Sequence, residues 1–193
     1  QTGRSGVDIN ITAAWDMEQG SSDVVIGILD TGIDINHEDL AGNIYINPGE
    51  IPGNGIDDDG NGYIDDVNGW DFVNEDETLY DSSAEDLHGT YVAGIIAAKS
   101  NTVGISGAAP NVKIMPLKFI SGSYGYTCDA IEAIEYAMKM GVKIINCSFG
   151  GTDNNPALKD AMQNSGILFV CAAGNRAEDV ASSPVYPACF DIP

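Results

Sequence analysis

The run Val24-Val25-Ile26-Gly27-Ile28-Leu29 carries no polar side chain and ends on Asp30. A strand with one wet face alternates apolar and polar residues. A strand that is apolar throughout is buried on both faces, as inside a parallel sheet covered by helices. Three later apolar-rich segments also read as strands: Val112 to Phe119, Val142 to Cys147 and Ile167 to Ala172. Helical stretches lie between them. Gly89 to Lys99 is a run of small and apolar residues that suits a buried helix. Cys128 to Met140 places Ile131, Ile134, Ala137 and Met138 on one face and stops at Gly141, and Pro156 to Asn164 is closed by Gly166. Alternating strands and helices predict a three-layer α/β/α architecture around a mostly parallel sheet. With 193 residues, 44% of them hydrophobic, and about 150 residues per domain as a guide, residues 1–193 read as a single domain.

In such sheets the chemistry sits beyond the carboxyl ends of the strands. Asp30, Ser148 and Asn175 each follow a predicted strand, and His88 heads the small-residue helix. A carboxylate held rigid and partly dehydrated at a strand end suits the task of orienting an imidazole. Taken singly these residues decide little. A lone histidine before a helix is more often a cap, and Asn175 after Gly174 also reads as a turn residue. An aspartate first and a histidine 58 positions later is a stronger pattern.

Charge excludes some partners. Lys and Arg total 8 against 29 Asp and Glu, a formal net charge of −21. Nucleic acid needs a basic footprint, so no nucleic-acid partner is expected, and an anionic membrane surface is disfavoured on the same ground. No run approaches the roughly 18 apolar residues of a membrane-spanning helix. Four cysteines are widely spaced without a CxxC pair, which argues against zinc. Cys147 and Cys171 lie in apolar strand patterns and read as buried small hydrophobes, with a disulfide as the alternative.

The segment Asn47 to Asp86 is rich in Asp, Asn and Gly and shows no clear element. It is too long for an ordinary loop, so it is either disordered or ordered by something external. Within it, Asp57-Asp58-Asp59-Gly60-Asn61-Gly62-Tyr63-Ile64-Asp65-Asp66 has the oxygen spacing of a calcium loop. Side-chain oxygens fall at Asp57, Asp59 and Asn61, Gly62 permits the sharp turn, and Tyr63 offers a backbone carbonyl. The distal glutamate position holds Asn68, so Asp65 or Asp66 must supply the remaining ligands. The alternative is an acidic disordered loop.

Several segments in one order carry a family likeness. VVIGILDTGIDINHEDL, LHGTYVAGIIAA, GISGAAPNVKIMPLKF, NCSFGG and FVCAAGN resemble successive motifs of the subtilase family of serine endopeptidases. The resemblance covers nearly all of the chain and implies a subtilisin-like fold with Asp30 and His88 as catalytic residues and Asn175 as the oxyanion donor. It implies peptide-binding edges at Ser148, Phe149, Gly150 and at Ser123, Tyr124, Gly125. It also implies a second calcium site with Asp39 and Asn101 side chains and the carbonyls of Lys99, Val103 and Ile105, with Gln1 a weaker addition. The family order of catalytic residues is Asp, His, Ser, and no Gly-Thr-Ser occurs here. The chain therefore reads as incomplete at its C-terminus, truncated before the serine motif. The nucleophile is expected on a missing C-terminal segment or a companion chain, and the isolated chain is expected to be inactive. Tyr91 and Leu87 depart from the usual second histidine and small residue of the histidine motif, and His37 is expected to be structural. The expected protein is a secreted, calcium-stabilised serine endopeptidase acting on peptides or proteins, with a pro-segment as a further expected partner. The alternative is an inactive fragment or pseudoprotease acting as a calcium-dependent peptide- or partner-binding module.

Overall fold

The computed structural model of the protein describes residues 8–192. In chain order its elements are α1 (Ile11–Trp15), β1 (Val25–Asp30), β2 (Trp70–Asp71), α2 (Leu87–Ala97), β3 (Lys113–Lys118), β4 (Ile120–Ser121), β5 (Tyr124–Gly125), α3 (Thr127–Lys139), β6 (Ile144–Cys147), α4 (Pro156–Ser165) and β7 (Leu168–Cys171). Five strands form one sheet in the order β2-β3-β1-β6-β7, and every pairing in it is parallel. The four strands and three helices expected from hydrophobic pattern are all present, with ends shifted by one or two residues.

Helices cover both faces, which is why β1 is apolar throughout. On one face Ile28, Ile33, Leu40, Ile114, Ala93 and Ala97 share a core with α2. On the other, Leu29, Met115, Leu117 and Ile145 pack with the apolar sides of α3 and α4. Local chemistry fixes the helix ends. The Asn155 side chain caps α4 through the amides of Ala157 and Leu158, Pro156 occupies its first turn, and Gly166 closes it at φ 70°.

The chain steps from β1 to β3 on one side, then returns past β1 to β6 and β7 on the other. The direction of winding reverses at β1 and β6, and a doubly wound sheet opens a crevice at such a reversal. Asp30 and the segment after Cys147 lie at that point.

Two short features escape the hydrophobic pattern. β2 is a two-residue strand in the Asp-rich segment, paired Trp70↔Leu117 and Asp71↔Lys118. Ile120 to Gly125 folds on itself as an antiparallel hairpin, with Ile120 opposite Gly125 and Ser121 opposite Tyr124.

Candidate active site

Asp30 ends β1 with none of its side chain exposed, and His88 lies in the first turn of α2 with its side chain 59% exposed. Their contact is short: His88 Nδ1 to Asp30 Oδ1, 2.6 Å. With the carboxylate accepting, Nδ1 carries the proton and Nε2 keeps its lone pair. Asp30 Oδ1 also accepts from the Thr31 amide at 2.7 Å. Burial pushes the Asp30 carboxyl above its ordinary range, and the bonds from His88 and Thr31 reverse only part of that.

Three hydrogen bonds join the loop after β1 to the helix carrying His88. The Gly89 amide donates to Thr31 Oγ1 (2.9 Å), the Gly32 amide to Asp86 Oδ1 (2.9 Å) and the Asp34 amide to Thr90 Oγ1 (3.0 Å). Gly89 lets the backbones approach, since a Cβ there would lie 2.5 Å from the Gly32 carbonyl oxygen. Below these contacts Lys118 is fully buried. Its ammonium lies 3.1 Å from Asp71 and 3.5 Å from Asp86, and contacts Asp81 as well. Burial alone would lower the Lys118 pKa. Hydrogen bonds to Asp81 and Asp71 and the charges of Asp71 and Asp86 outweigh it, so the pKa rises above the ordinary lysine value. Sequence reasoning did not single out Thr31, Thr90, Asp86 or Lys118. Their proximity to DTG and HGT was visible, but their partners lie more than thirty positions away.

A cleft of about 920 Å³ opens between the segments that follow β6 and β7, with Ser148, Phe149 and Gly150 on one side and Ala173, Gly174 and Asn175 on the other. Two backbone hydrogen bonds, from the Gly151 amide to the Tyr186 carbonyl (2.9 Å) and from the Tyr186 amide to the Gly151 carbonyl (2.8 Å), hold its far end. Ser123 sits in the β4–β5 turn, and Tyr124 and Gly125 form β5 with Tyr124 83% exposed. Edge-to-face packing of Phe119 on Phe149, 4.7 Å between centroids, joins the base of this hairpin to the segment after β6.

The Asp-rich segment is ordered around a carboxylate cluster. Ligand oxygens of Glu50, Asp59 and Asp66 lie within 4.8 Å of one another. Glu50 Oε1 accepts from the amides of Asp58 and Asp59, while its buried Oε2 has no partner. Asn47 Nδ2 donates to Asp59 and Asp66, both at 2.9 Å, and Asn61 Nδ2 donates to the same two carboxylates. The fully buried Tyr136 donates to Asp66 Oδ2 at 2.7 Å. Of the loop residues expected as ligands, Asp59, Asn61 and Asp66 gather here. The Asp57 and Asp65 carboxylates are turned to other amides, and Tyr63, whose expected ligand is its backbone carbonyl, directs its side chain into separate contacts. Asp57 accepts from the amides of Gly60, Asn61 and Gly62. Asp65 accepts from those of Asn54 and Gly55. The Tyr63 ring packs on Trp70 and Tyr136, and its hydroxyl donates to Glu132. Glu50 and Asn47 gave no signal because they lie outside the loop's own spacing. An orphaned buried oxygen facing two carboxylates fits a hard cation with oxygen ligands.

Around Asp39, 3% exposed, Asn101 Nδ2 donates to Oδ1 and the Ile105 amide to Oδ2, both at 3.0 Å, and the Lys99 amide donates to its carbonyl. The Val103 amide donates to Asn101 Oδ1. The residues expected at a second calcium site thus stand together, with amides turned toward Asp39. Gln1 lies outside the described residues. His37 Nδ1 accepts from the Asp39 amide, a local structural contact. Cys147 and Cys171 are in-register neighbours on β6 and β7, and all four cysteines are free thiols.

A carboxylate and an imidazole thus meet at the winding reversal of a doubly wound sheet. The subtilase family profile matches residues 21–191, and the chain belongs to the subtilase family. It is 36% identical over 187 residues to thermitase from Thermoactinomyces vulgaris, covering 94% of this chain and 57% of thermitase. It is 35% identical to subtilisin DY from Bacillus licheniformis, covering 88% of this chain and 54% of that protein. Fervidolysin from Fervidobacterium pennivorans, a keratinolytic enzyme related to subtilisin, superposes with a TM-score of 0.65 at 27% identity, over 95% of this chain and 25% of its own. The chain spans little more than half the length of thermitase and subtilisin DY.

Proposed function

We propose that this chain supplies the Asp–His half, the oxyanion asparagine and much of the peptide-binding surface of a serine endopeptidase, with the serine on polypeptide outside residues 1–193. The 2.6 Å contact between His88 Nδ1 and Asp30 Oδ1 carries the reading. It leaves Nε2 as the base toward a serine hydroxyl. The serine oxygen bonds to the scissile carbonyl carbon while its proton passes to Nε2, and His88 returns that proton to the leaving amine as the C–N bond breaks. Water, activated in the same way, then releases the acyl group. Asn175 donates its side-chain amide to the oxygen that becomes negative. Substrate lies extended between Ser148–Gly150 and Ser123–Gly125, where Gly125 and Gly150 allow backbone approach.

Two surfaces support a partner segment for the serine. On α2, Leu87, Tyr91 and Ile95 repeat every four residues and are 41, 62 and 64% exposed. On the edge strand β7, Leu168 and Val170 are 61 and 53% exposed. An apolar stripe and an unpaired parallel edge are surfaces that a further helix and strand of the same fold would cover.

Calcium, held by Glu50, Asp59 and Asp66 with Asn47 and Asn61 around them, would screen carboxylates that otherwise repel. Asp39 with Asn101 is the second candidate. Its contribution is to stability, with no step of the reaction passing through it. Among the described residues no helix is long and apolar enough to cross a membrane. Secretion fits that fact, the acidity and a calcium-dependent fold.

The test is fluorophosphonate labelling of the full-length protein. Labelling at a serine outside residues 1–193, abolished by His88→Ala, is the expected outcome; a fully folded protein that stays unlabelled overturns the reading. For calcium, the melting temperature is expected to rise with added Ca²⁺ in wild type and to respond less in Glu50→Gln. An identical response in the two proteins removes Glu50 from the ligand set.

A further inference from the structure

Asp86 occupies the N-cap position of α2, where an aspartate ordinarily turns its carboxylate onto the first free amides of its own helix. Here it makes no side-chain cap. Its Oδ1 accepts instead from the Gly32 amide, 54 positions earlier, and faces Lys118 Nζ at 3.5 Å. Its Oδ2 accepts from the amides of Asp81 and Ser82. Asp86 and Lys118 are both fully buried, so the helix forgoes a cap in order to send this carboxylate down to the sheet.

The register makes the arrangement pointed. Asp30 and Lys118 are Cα partners at the adjacent ends of β1 and β3. One sends a carboxylate up to His88. The other sends an ammonium up to Asp86, two residues before His88. The same helix end is therefore gripped by a carboxylate–imidazole hydrogen bond and by an ion pair, rising from neighbouring strands, and the Gly32 amide ties the second to the loop of the first. The His88–Asp30, Gly89–Thr31 and Asp34–Thr90 contacts all hold α2 to the end of β1 and the loop after it. The Asp86–Lys118 pair adds an anchor one strand away, on β3. Asp71, itself fully buried and 3.1 Å from Lys118, fixes the ammonium from the β2 side while accepting from the Val73 and Asn74 amides. This grouping is not needed for folding economy, since buried ion pairs rarely out-stabilise apolar packing of equal volume.

We propose that the Asp86–Lys118 pair is a positioning device for the catalytic histidine: it sets the rotation of α2 on the sheet and thereby holds His88 Nδ1 on Asp30 and aims Nε2. The proposal rests on the endopeptidase reading above for its kinetic consequence, but its geometric consequence stands alone.

The test compares full-length wild type with Asp86→Asn, whose amide oxygen can still accept from Gly32 but which has lost the charge facing Lys118 and turns an NH2 toward the Asp81 and Ser82 amides. Asp81→Asn, at the more exposed edge of the cluster, serves as the second variant should Asp86→Asn fold poorly. Met162→Ala, on the buried face of α4, is a control for stability loss alone. Angular displacement of a catalytic group costs on the order of 10–100-fold when the shift approaches 1 Å. Asp86→Asn is therefore expected to lower kcat by about that factor with KM within about twofold. The far-downfield proton NMR signal of the His88–Asp30 hydrogen bond is expected to shift upfield or broaden in Asp86→Asn, to change less in Asp81→Asn, and to stay in place in Met162→Ala. An unchanged low-field signal in a folded Asp86→Asn overturns the proposal, as does a kcat loss matched by Met162→Ala at equal loss of melting temperature. If wild type shows neither labelling nor hydrolysis, the endopeptidase reading has failed, and the NMR comparison still decides the positioning role.

Discussion

Gly89→Ala is a one-carbon perturbation aimed at the seam between the two halves of the site. A Cβ on residue 89 would stand 2.5 Å from the Gly32 carbonyl oxygen and 2.6 Å from that of Thr31, where ordinary contact begins at 3.4 Å. Both obstacles are backbone, so neither can swing aside. Relief requires α2 to lift from the loop after β1 by about 0.9 Å, and overpacking of this kind costs roughly 1–3 kcal/mol. Alanine recovers up to about 1 kcal/mol of helix propensity over glycine. The net loss is then at most about 2 kcal/mol, or no more than roughly 8 °C in melting temperature for a domain of this size. Activity should suffer more than stability. The lift moves the helix that carries His88 relative to Asp30, whose contact is 2.6 Å, and displacement near 1 Å can cost about a hundredfold in rate. The assay pairs calorimetry with the rate of fluorophosphonate labelling in the full-length protein. A Gly89→Ala variant that labels at the wild-type rate would refute the reasoning, whatever its melting temperature, because the seam would then be compliant.

Two further perturbations address charge and burial. Asp30 has a folded-state pKa raised by burial above its ordinary 3.8; the folded chain thus binds that proton more tightly than the unfolded chain. The stability linked to it is complete below the unfolded value and is lost as pH rises through the folded value. Asp30→Asn removes the titration, so it is expected to melt above wild type at pH 8 and to lose that advantage as pH falls toward 3.8; a wild type that melts higher at pH 8 contradicts this. Tyr136→Phe deletes the hydroxyl that donates to Asp66 and should cost about 1–3 kcal/mol, seen as a lower melting temperature in calcium-free buffer. No change there would mean that water or another donor replaces the phenol without loss.

The main sheet was readable because its signal is local. β1, β3, β6 and β7 are each rich in apolar and β-branched residues along their own length, a signal that needs no knowledge of the neighbours. β2 had no such signal: two residues, Trp70 and Asp71, pair only because Leu117 and Lys118 offer a free edge. Asp30 and His88 were legible from motif and order, and the structure brings them into contact. Lys118 was hidden inside a strand pattern. Nothing in VKIMPLKF says that its last lysine is fully buried, since that depends on three aspartates from positions 71 to 86. Glu50 was invisible for a similar reason: loop spacing describes ligands that follow one another, and Glu50 approaches from outside the repeat.

β1 has a parallel neighbour on each side along its catalytic end, β3 on one and β6 on the other. Amides in such a strand exchange with solvent only when the whole sheet comes apart, whereas helix ends and edge strands open far more cheaply. Partial openings that swing the loop 47–66 or fray β7 therefore leave the aspartate at its post. The orienting carboxylate is the most durable part of the site, and recovery from a local excursion requires only that the histidine find it again.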